Sequence, residues 1–166
     1  MSPGDAIDLA IRPALRLLPQ RMASRSAVAM LVAIGLQESR FTHRRQTTSA
    51  GGFGPARGWW QFEASGVRGV VTHAATSDLA DAVATRLGYR TATWGDLHLA
   101  IQHNDVLAAA FARLNLWWLP APLPEPDDVD GSWWQYLEAW RPGKPCPDTW
   151  PRFFARGWEI AREWEG

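Results

Sequence analysis

The chain has 166 residues, and its 17 Lys plus Arg cancel 17 Asp plus Glu. It is long enough for one domain that buries roughly two-thirds of its unfolded surface, and the balanced charge excludes a global attraction to nucleic acid or to a membrane surface. A single cysteine, Cys146, excludes an intrachain disulfide and a Cys-based zinc site.

Taken in chain order, helical signals dominate. Apolar residues at 7, 9, 10, 11, 14, 15, 17 and 18 predict a helix over 5–18, which Pro19 stops. Ser24 or Ser26 caps a second helix reaching about Arg40. The middle of that helix, 27–34, is apolar all round, the mark of a buried central helix. The apolar run 27–36 is too short to span a bilayer, and the N-terminus lacks a basic leader, so neither a membrane anchor nor a signal peptide is expected. Residues 42–58 are polar and glycine-rich and read as a functional loop, with room for a short hairpin within 42–63.

Ser77 opens a helix through Leu87 that Gly88 ends. Residues 94–102 and 104–118 predict two consecutive helices, or one helix bent near His103. The stretch 120–130 carries four prolines and reads as a stiff acidic connector. A short helix over 132–140 is stopped by Arg141-Pro142-Gly143. Asp148 then caps a last helix over 150–164, with Pro151 in its first turn. No internal repeat and no convincing longer strand pattern emerge. The expected fold is mainly all-α: a compact single-domain bundle over 1–166, of about six or seven helices around the 24–40 helix. Residues 1–23 form its N-terminal helix and connector.

The chemistry concentrates at two places. Glu38 ends the apolar helix, following Ala33-Ile34-Gly35-Leu36. A carboxyl held against apolar groups is harder to ionise, so its pKa rises and it can act as a general acid. Read as a structural residue, Glu38 is a solvated helix-end charge or a partner of Arg40. The second place is Gly58-Trp-Trp-Gln-Phe-Glu63, a glycine-led aromatic turn. Eleven tryptophans are present, several in pairs. Most are expected in the core, with a minority lining a groove for a ring-shaped ligand, as sugars stack on aromatic faces. The candidates for that wall are Trp59 and Trp60.

Gln61 either hydrogen-bonds substrate or ties the turn to the Glu38 helix. Ser39 either bonds substrate or Glu38 itself, or makes a local backbone bond. Glycoside cleavage commonly uses two carboxyl groups, and Glu63 is the second candidate; otherwise it is a surface acid beside Arg57 or Arg68. Arg44, Arg45 and Arg57 make the 42–58 loop locally basic. His43, His73, His98 and His103 lack metal-ligand spacing, and no phosphate-binding or dinucleotide fingerprint occurs, so no metal, no cofactor and no nucleic-acid partner are expected.

The succession Gln37-Glu-Ser-Arg-Phe41, a glycine-bearing loop, then Gly58-Trp-Trp-Gln-Phe62 resembles the goose-type lysozymes and soluble lytic transglycosylases. Asn104-Asp-Val-Leu-Ala-Ala-Ala-Phe-Ala-Arg-Leu114 and Leu137-Glu-Ala-Trp-Arg-Pro-Gly143 resemble the family's later segments in order. The wording 54–63 and 140–145 is similar to lysozyme-like proteins of tailed bacteriophages. The resemblance covers roughly 24–160 and implies a lysozyme-like bundle. It implies a muramidase that cuts the β-1,4 bond between N-acetylmuramic acid and N-acetylglucosamine in peptidoglycan glycan strands, with Glu38 as general acid/base. It also implies a chain made in a host cytoplasm that reaches the wall by holin release, as an endolysin, or as part of a virion. Trp59-Trp60 replace the family's Leu-Met pair, and Trp140-Arg141 stand where the family carries Tyr and Asn. The Tyr hydroxyl there helps hold the acid or the substrate's N-acetyl group, so Trp140 is a further substrate-binding candidate with only an N–H to offer. The alternative is a non-catalytic tail or virion component that keeps the fold as an interaction module beside other phage proteins.

Overall fold

The computed structural model describes residues 2–47 and 51–164. The chain is mostly helical, with one small two-stranded antiparallel sheet. Where one helix over 5–18 was expected, α1 (Pro3–Ala6), a π-helical turn (Ile7–Ile11) and α2 (Arg12–Leu17) follow one another without a break. The wide turn has a cause in the sequence. Pro13 has no N–H to give to residue 9, and its ring crowds that carbonyl. The Arg12 N–H instead reaches back five residues to the Ile7 carbonyl, which opens the turn for the proline.

The central helix, α3 (Arg25–Glu38), starts at Ser24, whose Oγ accepts from the Ala27 N–H at 3.0 Å. Residues 27–34 are all fully buried, as the all-round apolar pattern requires. α9 (Trp150–Ala161) packs along α3, and Gly157 permits the approach. A Cβ at 157 would lie 2.3 Å from the Ala29 carbonyl oxygen. Asp148 does not cap α9. It lies in a 3-10 turn (Pro147–Thr149), and the cap position belongs to Thr149, whose hydroxyl donates to Gln37 Oε1 at 2.9 Å instead.

The hairpin within 42–63 consists of β1 (Arg45–Thr47) and β2 (Phe53–Arg57), with Arg45 opposite Arg57. It leads into α4 (Ala64–Thr72), a helix the sequence pattern did not predict. Gly66, Gly69 and four β-branched residues give this segment weak helix propensity. It forms because Val67 and Val70, three apart, bury completely or nearly so against the core. α5 (Ser77–Arg86) opens at Ser77 as expected, with Thr76 in the cap position before it. The 94–118 region resolves into two helices, α6 (Trp94–Ile101) and α7 (Asp105–Trp117). Asn104 separates them, its side chain accepting from the Leu107 N–H at 3.0 Å. α8 (Val129–Trp140) starts inside the expected connector because Asp128 caps it through the Gly131 N–H at 2.9 Å. Among the described residues no helix is long and apolar enough to cross a membrane.

Candidate active site

α3 delivers Glu38 to one side of an open cleft of about 900 Å³. Its polar end is a consequence of composition: the apolar run stops at Leu36, and Gln37, Glu38 and Ser39 follow. Gly35 allows the chain to double back there, since a Cβ would fall 2.2 Å from Phe41 Cζ. The Phe41 ring therefore packs under the end of α3, fully buried, and meets Trp59 and Trp60 edge-on at 5.6 and 5.8 Å.

The two tryptophans do not form the expected wall. Trp59 is 1 % exposed and Trp60 0 %, and neither lines the cleft. The Trp60 indole N–H donates to the Leu31 carbonyl at 2.8 Å, and the Arg44 guanidinium lies 4.5 Å over the Trp59 ring. They are the keel of the turn, held against α3. The physical reason is size: with Gly35 vacating space and Phe41 folded beneath, two indoles fill the volume between helix and turn. Ser39 is likewise internal. Its hydroxyl donates to the Trp59 carbonyl at 2.6 Å and accepts from the Phe41 N–H at 3.1 Å, so it ties helix end to turn rather than meeting substrate.

Gln61 lines the cleft with its backbone in the left-handed region, at φ 46°. Such a conformation costs a non-glycine residue energy and is held here by its surroundings. Its amide Nε2 donates to the Gly58 carbonyl at 2.8 Å, so the side chain closes the turn. Phe62, buried, leads to Glu63, which is exposed on the cleft at the start of α4. The Phe62 carbonyl accepts from His98 Nε2 at 2.8 Å. Because a carbonyl only accepts, that nitrogen carries the proton, and burial lowers the His98 pKa and keeps the ring neutral. Glu63 makes no ion pair with Arg57 or Arg68 among the described residues; the Arg57 guanidinium donates to Gln102 instead. The basic loop is also internally engaged, with Arg44 paired to Asp105 and Arg45 over Phe53.

Tyr136 also lines the cleft, a residue that the sequence did not single out. Its hydroxyl donates to Glu38 Oε1 at 2.7 Å. The resemblance pointed instead to the Trp140 position, one helical turn further along α8. The signal was present: Tyr136 and Trp140 share a face of α8, and only two tyrosines occur in the chain. Tyr136 is clamped in a stack, 4.9 Å from Trp150 and 5.2 Å from Trp133. Burial first, then the facing Glu38 carboxylate, push its pKa well above the usual phenol range, so it stays a donor. Trp140 does line the cleft, but its indole N–H donates to the Trp60 carbonyl at 2.8 Å and joins α8 to the turn.

Glu38 itself has its pKa raised from 4.5 to about 7. Burial is the leading cause, the Tyr136 hydroxyl opposes it, and the negative charge of Glu63 adds to it. With Oε1 occupied by the tyrosine, the titrating proton belongs on Oε2. The arrangement can therefore give a proton near neutral pH, hold the resulting carboxylate by a hydrogen bond, and take the proton back.

The rim opposite in sequence is Arg141-Pro-Gly-Lys-Pro-Cys-Pro147. Gln37, the neighbour of Glu38, fastens it by donating to the Cys146 carbonyl at 3.0 Å. Among the described residues no group of three His, Cys, Asp or Glu side chains is placed to hold a metal ion. No protein-family model, no curated protein and no solved structure matches this chain.

Proposed function

We propose that this chain is a peptidoglycan-cleaving muramidase of lysozyme-like fold, with Glu38 as its general acid/base. One observation carries the reading: a carboxyl with its pKa raised to about 7 borders a cleft large enough for sugar rings and is held by a tyrosine hydroxyl. The motif resemblance around Glu38 and 58–62 adds the substrate class. Protonated Glu38 gives its proton to the glycosidic oxygen as the bond to the anomeric carbon breaks. Tyr136 then donates to the new carboxylate.

Two completions are open to the cleft. If the Glu63 carboxylate activates water, the water adds to the anomeric carbon, its proton returns through the carboxylates, and a reducing sugar leaves. If Glu38 works alone, its carboxylate takes the proton of the C6 hydroxyl, that oxygen closes on the anomeric carbon, and a 1,6-anhydro sugar leaves. The phage resemblance supports an origin as an endolysin or a virion-associated enzyme acting at the cell wall.

Lysis of purified peptidoglycan by the native chain and by Glu38→Gln tests the reading. Clearing falls on the order of 10²–10⁴-fold in the variant. Equal, background-level clearing by both sinks the enzyme and leaves an interaction module. Mass spectrometry of the released sugars separates the two completions, and Glu63→Gln with undiminished activity removes Glu63 from the chemistry.

A further inference from the structure

The turn that carries Glu63 to the cleft is fastened from three sides. The Ser39 hydroxyl, at the end of α3, donates to the Trp59 carbonyl at 2.6 Å, and the Trp140 indole of α8 donates to the Trp60 carbonyl at 2.8 Å. Both bonds act before Gln61, whose left-handed backbone turns the chain. Beyond Gln61, among the described residues, one side chain hydrogen-bonds the turn: His98 of α6, whose Nε2 donates to the Phe62 carbonyl at 2.8 Å. That carbonyl belongs to the planar peptide unit whose nitrogen is that of Glu63, so its direction sets where the Glu63 side chain starts.

The same carbonyl also accepts from the Arg57 N–H at 3.0 Å, but that bond closes the turn on itself and leaves its place in the molecule open. α6 supplies the place. Gly58, at φ 71°, lies so close that a Cβ there would fall 2.8 Å from the Ile101 carbonyl oxygen, and the Arg57 guanidinium donates to Gln102. His98 is 8 % exposed, and the charged groups facing its ring are Arg57 and Glu63. The Glu63 carboxyl itself makes no hydrogen bond or ion pair among the described residues, so its position depends on the backbone that carries it.

We infer that His98 is a positioning residue for Glu63: through the Phe62 carbonyl, its Nε2–H holds the Glu63 carboxyl in the cleft that Glu38 also lines. The inference rests on the reading of Glu38 as a general acid. The negative charge of Glu63 is one of the causes that keep the proton on Glu38 near neutrality. A turn released from α6 lets the exposed Glu63 swing towards water, where its charge is screened, and Glu38 then loses its proton at lower pH. His98 thus governs the strength of an acid through a carboxyl two elements away.

Carbon-13 NMR titration of the Glu38 carboxyl tests this in His98→Leu, which keeps bulk without a donor, and in His98→Gln, whose amide N–H stands in for Nε2–H. The Glu38 pKa falls in His98→Leu towards its value in Glu63→Gln and stays near the native value in His98→Gln. Added to Glu63→Gln, His98→Leu moves it no further, since a residue acting through Glu63 has no charge left to place. No fall in His98→Leu, a fall that His98→Gln shares, or an equal further fall in the double variant overturns the inference. His98→Leu leaves the Phe62 carbonyl its Arg57 N–H, so the fold persists. The native chain supplies a test that needs no variant: nitrogen-15 shifts that put the ring proton on Nδ1 overturn the tether. In peptidoglycan lysis the alkaline limb moves to lower pH in His98→Leu and not in His98→Gln. The NMR pattern together with no lysis by the native chain overturns the muramidase and keeps the positioning; lysis without the NMR pattern does the reverse.

Discussion

Glu38→Gln is expected to stabilise the fold, by an amount that grows as pH rises from 4.5 to 7. The folded carboxyl has its pKa raised from 4.5 to about 7. Below pH 4.5 the folded and unfolded chains both hold the proton, so the acid and its amide isostere differ little. Between 4.5 and 7 the unfolded chain releases a proton that the folded one retains, and stability falls as pH rises. Above 7 the loss is complete, and it amounts to about 3 kcal/mol at ~1.4 kcal/mol per pKa unit. Glutamine avoids that loss while its carbonyl still accepts from Tyr136. Urea unfolding of both chains across pH 4 to 8.5 reads the difference: near zero at pH 4, and about 3 kcal/mol in favour of the variant at pH 8, or roughly 6–12 °C in Tm for a chain of this size. A difference that does not change with pH, or a variant less stable at pH 8, would refute the burial of an ionisable Glu38. The outcome bears on function as well, because a group that costs stability at working pH is what a built-in acid requires.

Two further outcomes follow from the same geometry. Tyr136→Phe removes the hydrogen bond that favours the carboxylate, so the Glu38 pKa moves further up and the alkaline limb of the activity profile moves with it; carbon-13 NMR titration of the Glu38 carboxyl reads the shift directly, and a downward or absent shift would contradict the assigned bond. Gly157→Ala forces a methyl group against the Ala29 carbonyl, backbone against backbone, and costs about 1–3 kcal/mol by denaturant unfolding, whereas an unchanged midpoint would mean that α9 sits further from α3.

Much of the fold was legible because helices carry their own periodicity and punctuation. Ser24, Asn104 and Gly88 stand where the boundaries fall, and the all-apolar 27–34 stretch is the buried centre. α4 was not legible: its two glycines and β-branched residues argue against a helix locally, and only burial of Val67 and Val70 overrides them. The site divides in the same way. Glu38 was identifiable because an acid closing an apolar run is a local pattern. The roles of Trp59, Trp60, Ser39 and Trp140 were not, since an indole or hydroxyl looks the same in sequence whether it faces a ligand or a backbone carbonyl. Tyr136 lies 98 residues from its partner, and no local spacing links them.

The sequence by itself therefore determined a mainly helical chain, a buried central helix and an acid at its end, because these depend on nearest neighbours and on where the apolar run stops. Tertiary structure alone decided which groups surround that acid. Packing the two indoles beneath α3 removed them from the cleft, and packing α8 beside α9 brought the Tyr136 hydroxyl to Glu38. Long-range burial, which sets a pKa and assigns every donor its acceptor, is a property of the assembled core and is written in no single segment.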